Sequence, residues 1–311
     1  MKTVRAARIY DYGGPEVVRV EEVKLPDPKP DQVMVRVHAA GVNPIDWKLR
    51  AGYMQKVMPL TLPLVLGGDF SGLVDEVGAE VERFRPGDEV YGQGSVLHGG
   101  SGSFAQALAV SAGTVAAKPR RVDHLHAAAF PLVGVSALQA LTEHLRVAKG
   151  QQVLIHGGAG GIGSMAIQLA RYLGAHVTTT VSADDAVFAA GLGAEEVIDY
   201  KHQRFDAIVH DMDAVLDTVG GDTYVQSYKV LKRGGRLLSM LEQPREDLMR
   251  DYGVEAVYQF TRATTERLAR LAALVDQGTL KVHVHRTFPL EQAAEALQND
   301  PTRGKIVIKI A

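Results

Sequence analysis

Gly158-Ala159-Gly160-Gly161-Ile162-Gly163 is the stretch whose residue types and spacing most directly specify chemistry. It satisfies G-x-G-x-x-G. It follows a short apolar run, Val153-Leu154-Ile155, and opens a segment of helical periodicity over residues 161–173. Glycine permits a tight turn, close approach of the backbone to a pyrophosphate, and close packing of helix on strand. The helix start adds free N–H groups and the positive end of a dipole. Strand, glycine turn and helix in this order predict a dinucleotide site. The choice of dinucleotide rests on a later position. An NAD site carries an acid about 20 residues on, at the end of the second strand. That place reads Thr180-Val181-Ser182, with no acid, which leaves room for a 2′-phosphate and favours NADPH. The next loop, Ala183-Asp184-Asp185, supplies no cation. The first one after it is Lys201, beside Tyr200 at the end of the third predicted strand.

The elements that must hold this turn are legible as an α/β pattern. Strands are predicted at 153–155, 176–181, 196–198, 215–219 and 236–240. Helices are predicted at 161–173 and 184–190. Strands and helices alternating at this spacing predict right-handed βαβ units around a parallel sheet. The first 120 residues read differently. Residues 17–23 and 32–39 alternate apolar and polar residues, with Pro26, Pro28 and Pro30 stiffening the loop between them. Further strands are expected at 67–78, 89–92 and 104–110. The loop 93–103, rich in glycine, reads as mobile and close to a cleft. After residue 262 come helices over 266–277 and 290–298, strand-like 282–287, and a final alternating strand at 305–309. A nucleotide domain at 123–262, inserted between two pieces of a β-rich domain at 1–122 and 263–311, accounts for this order.

Composition excludes several classes. The 311 residues carry 34 Lys plus Arg against 36 Asp plus Glu, so nothing steers the chain toward nucleic acid or an anionic membrane. There is no cysteine, which removes disulfides, thiolate metal sites and a cysteine nucleophile. The N-terminus lacks an apolar run, and no uncharged apolar stretch reaches membrane-spanning length. The expectation is a cytoplasmic protein. Of the eleven histidines, only His124/His126 and His283/His285 form close pairs, and both read as structural or exposed.

The longer pattern Gly150-Gln151, Leu154, the glycine turn, Gln168 and Arg171 resembles the signature of the quinone oxidoreductase and zeta-crystallin family, within the medium-chain dehydrogenases and reductases. The resemblance runs along nearly the whole chain. Gly41-Val42-Asn43-Pro44-Ile45-Asp46 is similar to that family's G-V-N-P-x-D segment, and Arg85-Pro86-Gly87-Asp88-Glu89-Val90-Tyr91-Gly92 to its R-x-G-D-x-V-x-G segment. Leu192-Gly193-Ala194, Val215-Leu216-Asp217-Thr218-Val219-Gly220-Gly221 and Arg303-Gly304-Lys305-Ile306-Val307 extend the match.

The resemblance implies a GroES-like β-rich catalytic domain interrupted by a Rossmann domain with a doubly wound parallel sheet. It also implies NADPH as cofactor and hydride transfer to a quinone, or to the C=C bond of an enone. In the zinc enzymes of the superfamily a metal is held by Cys, His and Cys. Here the first cysteine position reads Asn43, the G-H-E segment reads Gly67-Gly68-Asp69, and the last cysteine falls in Phe130-Pro131-Leu132, so no metal is expected. The resemblance puts Asn43 at the nicotinamide end, and Tyr53 where the family carries an active-site tyrosine, a candidate hydrogen-bond donor to the accepting oxygen. Asn43, Ser136, residues Gly158 to Gly163, Ser182, Tyr200, Ser239, Met240, Leu241, Phe260, Arg303 and Lys305 are the implied cofactor contacts. For Lys305 the exposed face of the last strand is the competing reading. A homodimer through the sheet edge near residues 254–260 is expected. The competing functions are an enoyl or 2-alkenal reductase and a weakly catalytic NADPH-binding protein.

Overall fold

The computed structural model describes residues 2–56, 59–298 and 303–311. The chain divides into two compact units. One comprises Met1–Leu132, Ala263–Gln277 and Val282–Ala311; the other comprises Val133–Arg262 and Gly278–Lys281.

The second unit is a six-stranded parallel sheet. Its strands run in the order Glu196–Asp199, His176–Val181, Gln152–His156, Met212–Asp217, Leu231–Ser239, Glu255–Tyr258. The chain winds outward from Gln152–His156 in both directions, which is the doubly wound Rossmann arrangement. The central strand is apolar because both its faces are covered: Val153, Leu154 and Ile155 are fully buried. Burying each such side chain contributes about 1.5–3 kcal/mol. The helix Gly161–Tyr172 follows the glycine turn and buries Met165, Ala166, Ile167, Leu169 and Ala170. The expected helix at 184–190 opens instead as a 3₁₀ turn, Ala183–Asp185, before the helix Ala186–Gly191. The sequence reading missed the helix Gly221–Val230, whose polar residues and opening glycine pair hide its buried face of Tyr224, Ser227, Tyr228 and Val230.

The first unit is built on antiparallel pairing. A seven-stranded sheet runs Val284–Pro289, Lys305–Lys309, Gln32–Val42, Asp69–Val77, Glu89–Gln93, Val115–Ala117, with Ala107–Ser111 also paired to Gln32–Val42. A three-stranded sheet joins Arg19–Leu25, Lys2–Ile9 and Leu64–Val65. Several expected bounds move for local reasons. Residues 15–17 form a 3₁₀ turn with proline at its start, so the strand expected from 17 begins at Arg19. Gly67 has a positive φ of 92°, so the strand expected over 67–78 begins at Asp69. The helix expected over 290–298 is a 3₁₀ turn, Leu290–Gln292, followed by one helical turn, Ala293–Ala296. The loop 93–103 is knitted rather than free: the Gly94 N–H donates to Gly68 O, Gly102 to Gly94 O, Gly100 to Ser95 O and Ser101 to Ala109 O. Lys305–Lys309 is an interior strand, paired parallel on one side and antiparallel on the other. Among the described residues no helix is long and apolar enough to cross a membrane.

Candidate active site

In the Rossmann unit the strand Gln152–His156 delivers the chain into the glycine turn. His156 is fully buried and bonded to the hydroxyls of Thr180 and Ser227, and burial pushes its imidazole down to about 3, so it is neutral. The turn is tied back by the Gly157 and Gly158 N–H groups, both donating to Thr180 O. Its glycines do different things. A Cβ on Gly158 would lie 2.1 Å from Thr179 Oγ1, and one on Gly163 would lie 2.2 Å from Gly157 O. Those two are required by packing. Gly160 is different: a Cβ there would meet nothing closer than 3.4 Å, and its φ of −72° is open to any residue. Nothing among the described residues requires Gly160 to lack a side chain. It caps the helix Gly161–Tyr172, whose first N–H groups have no intrahelical acceptors. A pyrophosphate against this turn would use both the bare backbone and those donors, so the residues present fit a dinucleotide.

The other Rossmann positions expected at the cofactor divide into committed and open ones. Ser239 is fully buried, and its hydroxyl donates to Asp217 Oδ2 at 2.7 Å while accepting from the N–H groups of Leu241 and Glu242. Its side chain therefore braces the strand ends. Asp217 completes the brace by accepting from the Val219 and Gly220 N–H groups. Met240 is half-buried, while Leu241 and Phe260 are exposed. Ser136 is buried with its hydroxyl 2.7 Å from Thr261 Oγ1, and its carbonyl accepts from Gln259 Nε2. Gln259 keeps a buried Oε1 with no partner among the described residues. The Ser182 hydroxyl donates to Asp185 Oδ2 at 2.9 Å, and Tyr200 is exposed just beyond it.

The GroES-like unit holds a second cluster, and it is almost wholly buried. Asn43 is 2% exposed, Asp46 1%, Asp69 0%, Gln93 5% and Lys305 3%. Lys305 is thus buried, contrary to the exposed-face reading, because its strand is interior and pairs Ile306 with Val42. Its Nζ donates to Val42 O and Asn43 Oδ1. Asn43 Nδ2 donates to Asp69 Oδ2 at 3.0 Å. Asp69 also accepts from Gln93 Nε2 at 3.0 Å and from the Leu132 N–H on both oxygens. Asn43 is the N-cap of the helix Pro44–Arg50, and its N–H donates to Asp46 Oδ2 at 2.8 Å.

Burial pushes the Asp46 carboxyl up to about 7, and the neighbouring Asp69 charge adds to the rise. Burial likewise raises Asp69 and lowers Lys305, each opposed by the other's charge. Every neighbour bonded to Asp69 is an N–H donor and every partner of Lys305 is an acceptor, so hydrogen bonding favours carboxylate and ammonium. Sequence reasoning singled out Asn43 and Lys305 but missed Gln93, and gave Asp46 no role beyond its place in the Gly41–Asp46 motif. The signal for the cluster was Asp69 itself, an acid inside an otherwise apolar and small strand start, Gly68-Asp69-Phe70.

The remaining expected residues lie elsewhere on this unit's surface. Tyr53 is 70% exposed in the turn after Pro44–Arg50, edge-on to Trp47 with ring centroids 5.6 Å apart. Arg303 is half-buried. The paired histidines turn to different partners: His124 bonds Ser71 and Glu89, and His126 bonds Asp123. Among the described residues no group of three or more His, Cys, Asp or Glu could hold a metal ion.

Residues 29–120 match the alcohol dehydrogenase GroES-like domain family, and residues 192–308 match the zinc-binding dehydrogenase family. A mitochondrial NAD(P)H oxidoreductase of Bos taurus is 33% identical across 99% of this chain and 90% of its own length. The quinone oxidoreductase of Homo sapiens is 30% identical across 96% of this chain and 94% of its own. Among solved structures, the quinone oxidoreductase of Coxiella burnetii superposes with a TM-score of 0.92 at 35% identity, over 100% of both chains. The Escherichia coli quinone oxidoreductase, solved with NADPH, gives 0.88 at 27% identity over 98% of this chain and 100% of its own.

Proposed function

Since the chain belongs to the quinone oxidoreductase family of the medium-chain dehydrogenases and reductases, and is an NAD(P)H-dependent oxidoreductase, we propose that it reduces quinones with NADPH and without zinc. The nicotinamide, when bound, supplies a hydride. A quinone that takes up that hydride and a proton from water becomes a hydroquinone. A quinone is already a good acceptor, so the protein's share is to position it, exclude water and stabilise the charge that develops on oxygen.

One observation carries the zinc-free reading. Asn43 and Asp69 stand where the zinc enzymes of the superfamily carry a ligand and the acid of G-H-E. Here they are bonded to each other, and Asn43 Oδ1 accepts from the Lys305 ammonium. An ammonium bonded inside a would-be ligand set opposes a second cation there. The cysteine-free sequence points the same way, since thiolates supply most zinc sites of this kind. The exposed Tyr53 is the donor proposed for the acceptor oxygen. The preference for NADPH rests on the strand end at Ser182, which has no acid at the ribose position.

The proposal includes a homodimer. Its support is the edge strand Glu255–Tyr258, paired on one side only within its sheet. Light scattering at micromolar concentration checks it, with a monomer as the contrary result. The reaction itself is tested by following oxidation of NADPH and of NADH with a panel of ortho- and para-quinones beside 2-alkenals. The expected outcome is turnover with quinones at a higher kcat/KM for NADPH. Turnover confined to the 2-alkenals would replace the quinone reading with an enoyl reductase.

A further inference from the structure

We propose that Lys305 and Asp69 are positioning residues that act through Asn43: a buried ammonium and a buried carboxylate grip opposite ends of its side-chain amide and dictate which way it points. The inference rests on the quinone reading only for what the amide then meets.

A side-chain amide carries two donors on nitrogen and an acceptor on oxygen, and rotation by half a turn exchanges them. Asn43 cannot make that exchange. Turning it would aim the NH₂ group at Lys305, which has only donors, and the carbonyl at Asp69, whose carboxylate has only acceptors. Both clashes would occur where no water relieves them, because all three residues are at least 97% buried. The grip is itself held. Lys305 Nζ is anchored to Val42 O, and Asp69 by Gln93 Nε2 and the Leu132 N–H. Asp46 fixes the backbone N–H of Asn43 from the third side.

The consequence is a defined polarity. Oδ1 is occupied by Lys305 and one Nδ2 hydrogen by Asp69. The second Nδ2 hydrogen has no partner among the described residues, so the Asn43 nitrogen keeps a donor to offer while its oxygen is engaged by Lys305. The ammonium donating to its oxygen withdraws density from the amide and strengthens the remaining N–H donor. A donor suits an oxygen that gains negative charge, as the carbonyl of a quinone does on receiving a hydride. Two opposite charges buried on either side of an amide are a poor device for stability alone, since apolar residues of similar volume do as well or better. Holding a neighbouring amide in one orientation gives the pair a use.

The test compares Lys305→Met, Lys305→Gln and Lys305→Arg with Asn43→Ala and with the Asn43→Ala/Lys305→Gln double variant. The first readout needs no activity: the side-chain NH₂ pair of Asn43 in ¹H–¹⁵N spectra, identified by its loss in Asn43→Ala. We expect two widely separated, slowly exchanging proton signals in the wild type and in Lys305→Arg. Lys305→Met should bring them together. Lys305→Gln keeps donors without charge, so it preserves the fold even where the methionine variant does not, and it should shift the pair part of the way. The second readout is kinetic. Lys305→Gln should lower kcat with quinone roughly tenfold. The double variant should be no slower than Asn43→Ala, because the lysine acts through the asparagine. Unchanged Asn43 signals in both the methionine and glutamine variants would overturn the proposal, as would losses in kcat that multiply in the double variant. A wild-type protein inert toward every quinone would instead sink the quinone reading, and the spectra would still decide the orientation of Asn43.

Discussion

At the scale of residues, Gly160 and Gly163 separate binding from folding within one motif. Gly163→Ala would drive a Cβ into Gly157 O, so it should lower stability by about 1–3 kcal/mol, read from the denaturation midpoint. Gly160→Ala meets nothing closer than 3.4 Å among the described residues and should melt close to the wild type. Its NADPH affinity should nonetheless fall, since the methyl stands where the backbone was bare; titration by fluorescence checks both halves. An unaltered NADPH affinity would mean that the turn does not approach the pyrophosphate at this glycine. Asp46 gives a prediction in pH. Its native carboxyl titrates at about 7, while an unfolded aspartate titrates at about 4. Between those values the native state holds a proton that the unfolded state has lost. Stability therefore declines as pH rises through that window, by about 1.4 kcal/mol per unit, and levels off above it. Asp46→Asn lacks this slope and still offers an acceptor to the Asn43 N–H. Melting curves at pH 5 and pH 8 should show the variant gaining on the wild type at the higher pH. Equal differences at both would contradict a raised Asp46.

At the scale of elements, two neighbouring strand ends of the Rossmann sheet are locked by one carboxylate. Asp217 accepts from two loop N–H groups after its own strand and from Ser239 at the end of the next. Asp217→Asn presents an NH₂ group to a set of donors. It should cost about 2–3 kcal/mol and loosen the loops bearing Val219 and Leu241, seen as faster amide exchange there. The strand–turn–helix around residue 158 was legible in advance because a glycine spacing and two periodicities coincide within a short window. The Gly221–Val230 helix was not, because its buried face includes a serine and two tyrosines and its surface is polar. The last strand showed its alternation but not its neighbours. Whether Lys305 is exposed depends on a strand more than 250 residues away in sequence, and local pattern carries no such information.

At the scale of the whole molecule, the separated motifs, in order, were enough to predict a GroES-like and a Rossmann unit, and the solved quinone oxidoreductase of Coxiella burnetii shares that fold at a TM-score of 0.92. The candidate site was half legible. Asn43 and the glycine turn could be named from sequence, whereas the Asp46–Asp69–Gln93–Lys305 shell is assembled from four separate segments and emerges only on folding. That shell makes the zinc-free reaction the central claim. The most direct measurement is single-turnover oxidation of NADPH by a quinone, using protein stripped with chelator, assayed for residual metal, and repeated after adding zinc. The hydride-transfer rate should be the same in the stripped and the zinc-treated protein. A rate that vanishes on stripping and returns with stoichiometric zinc would contradict it.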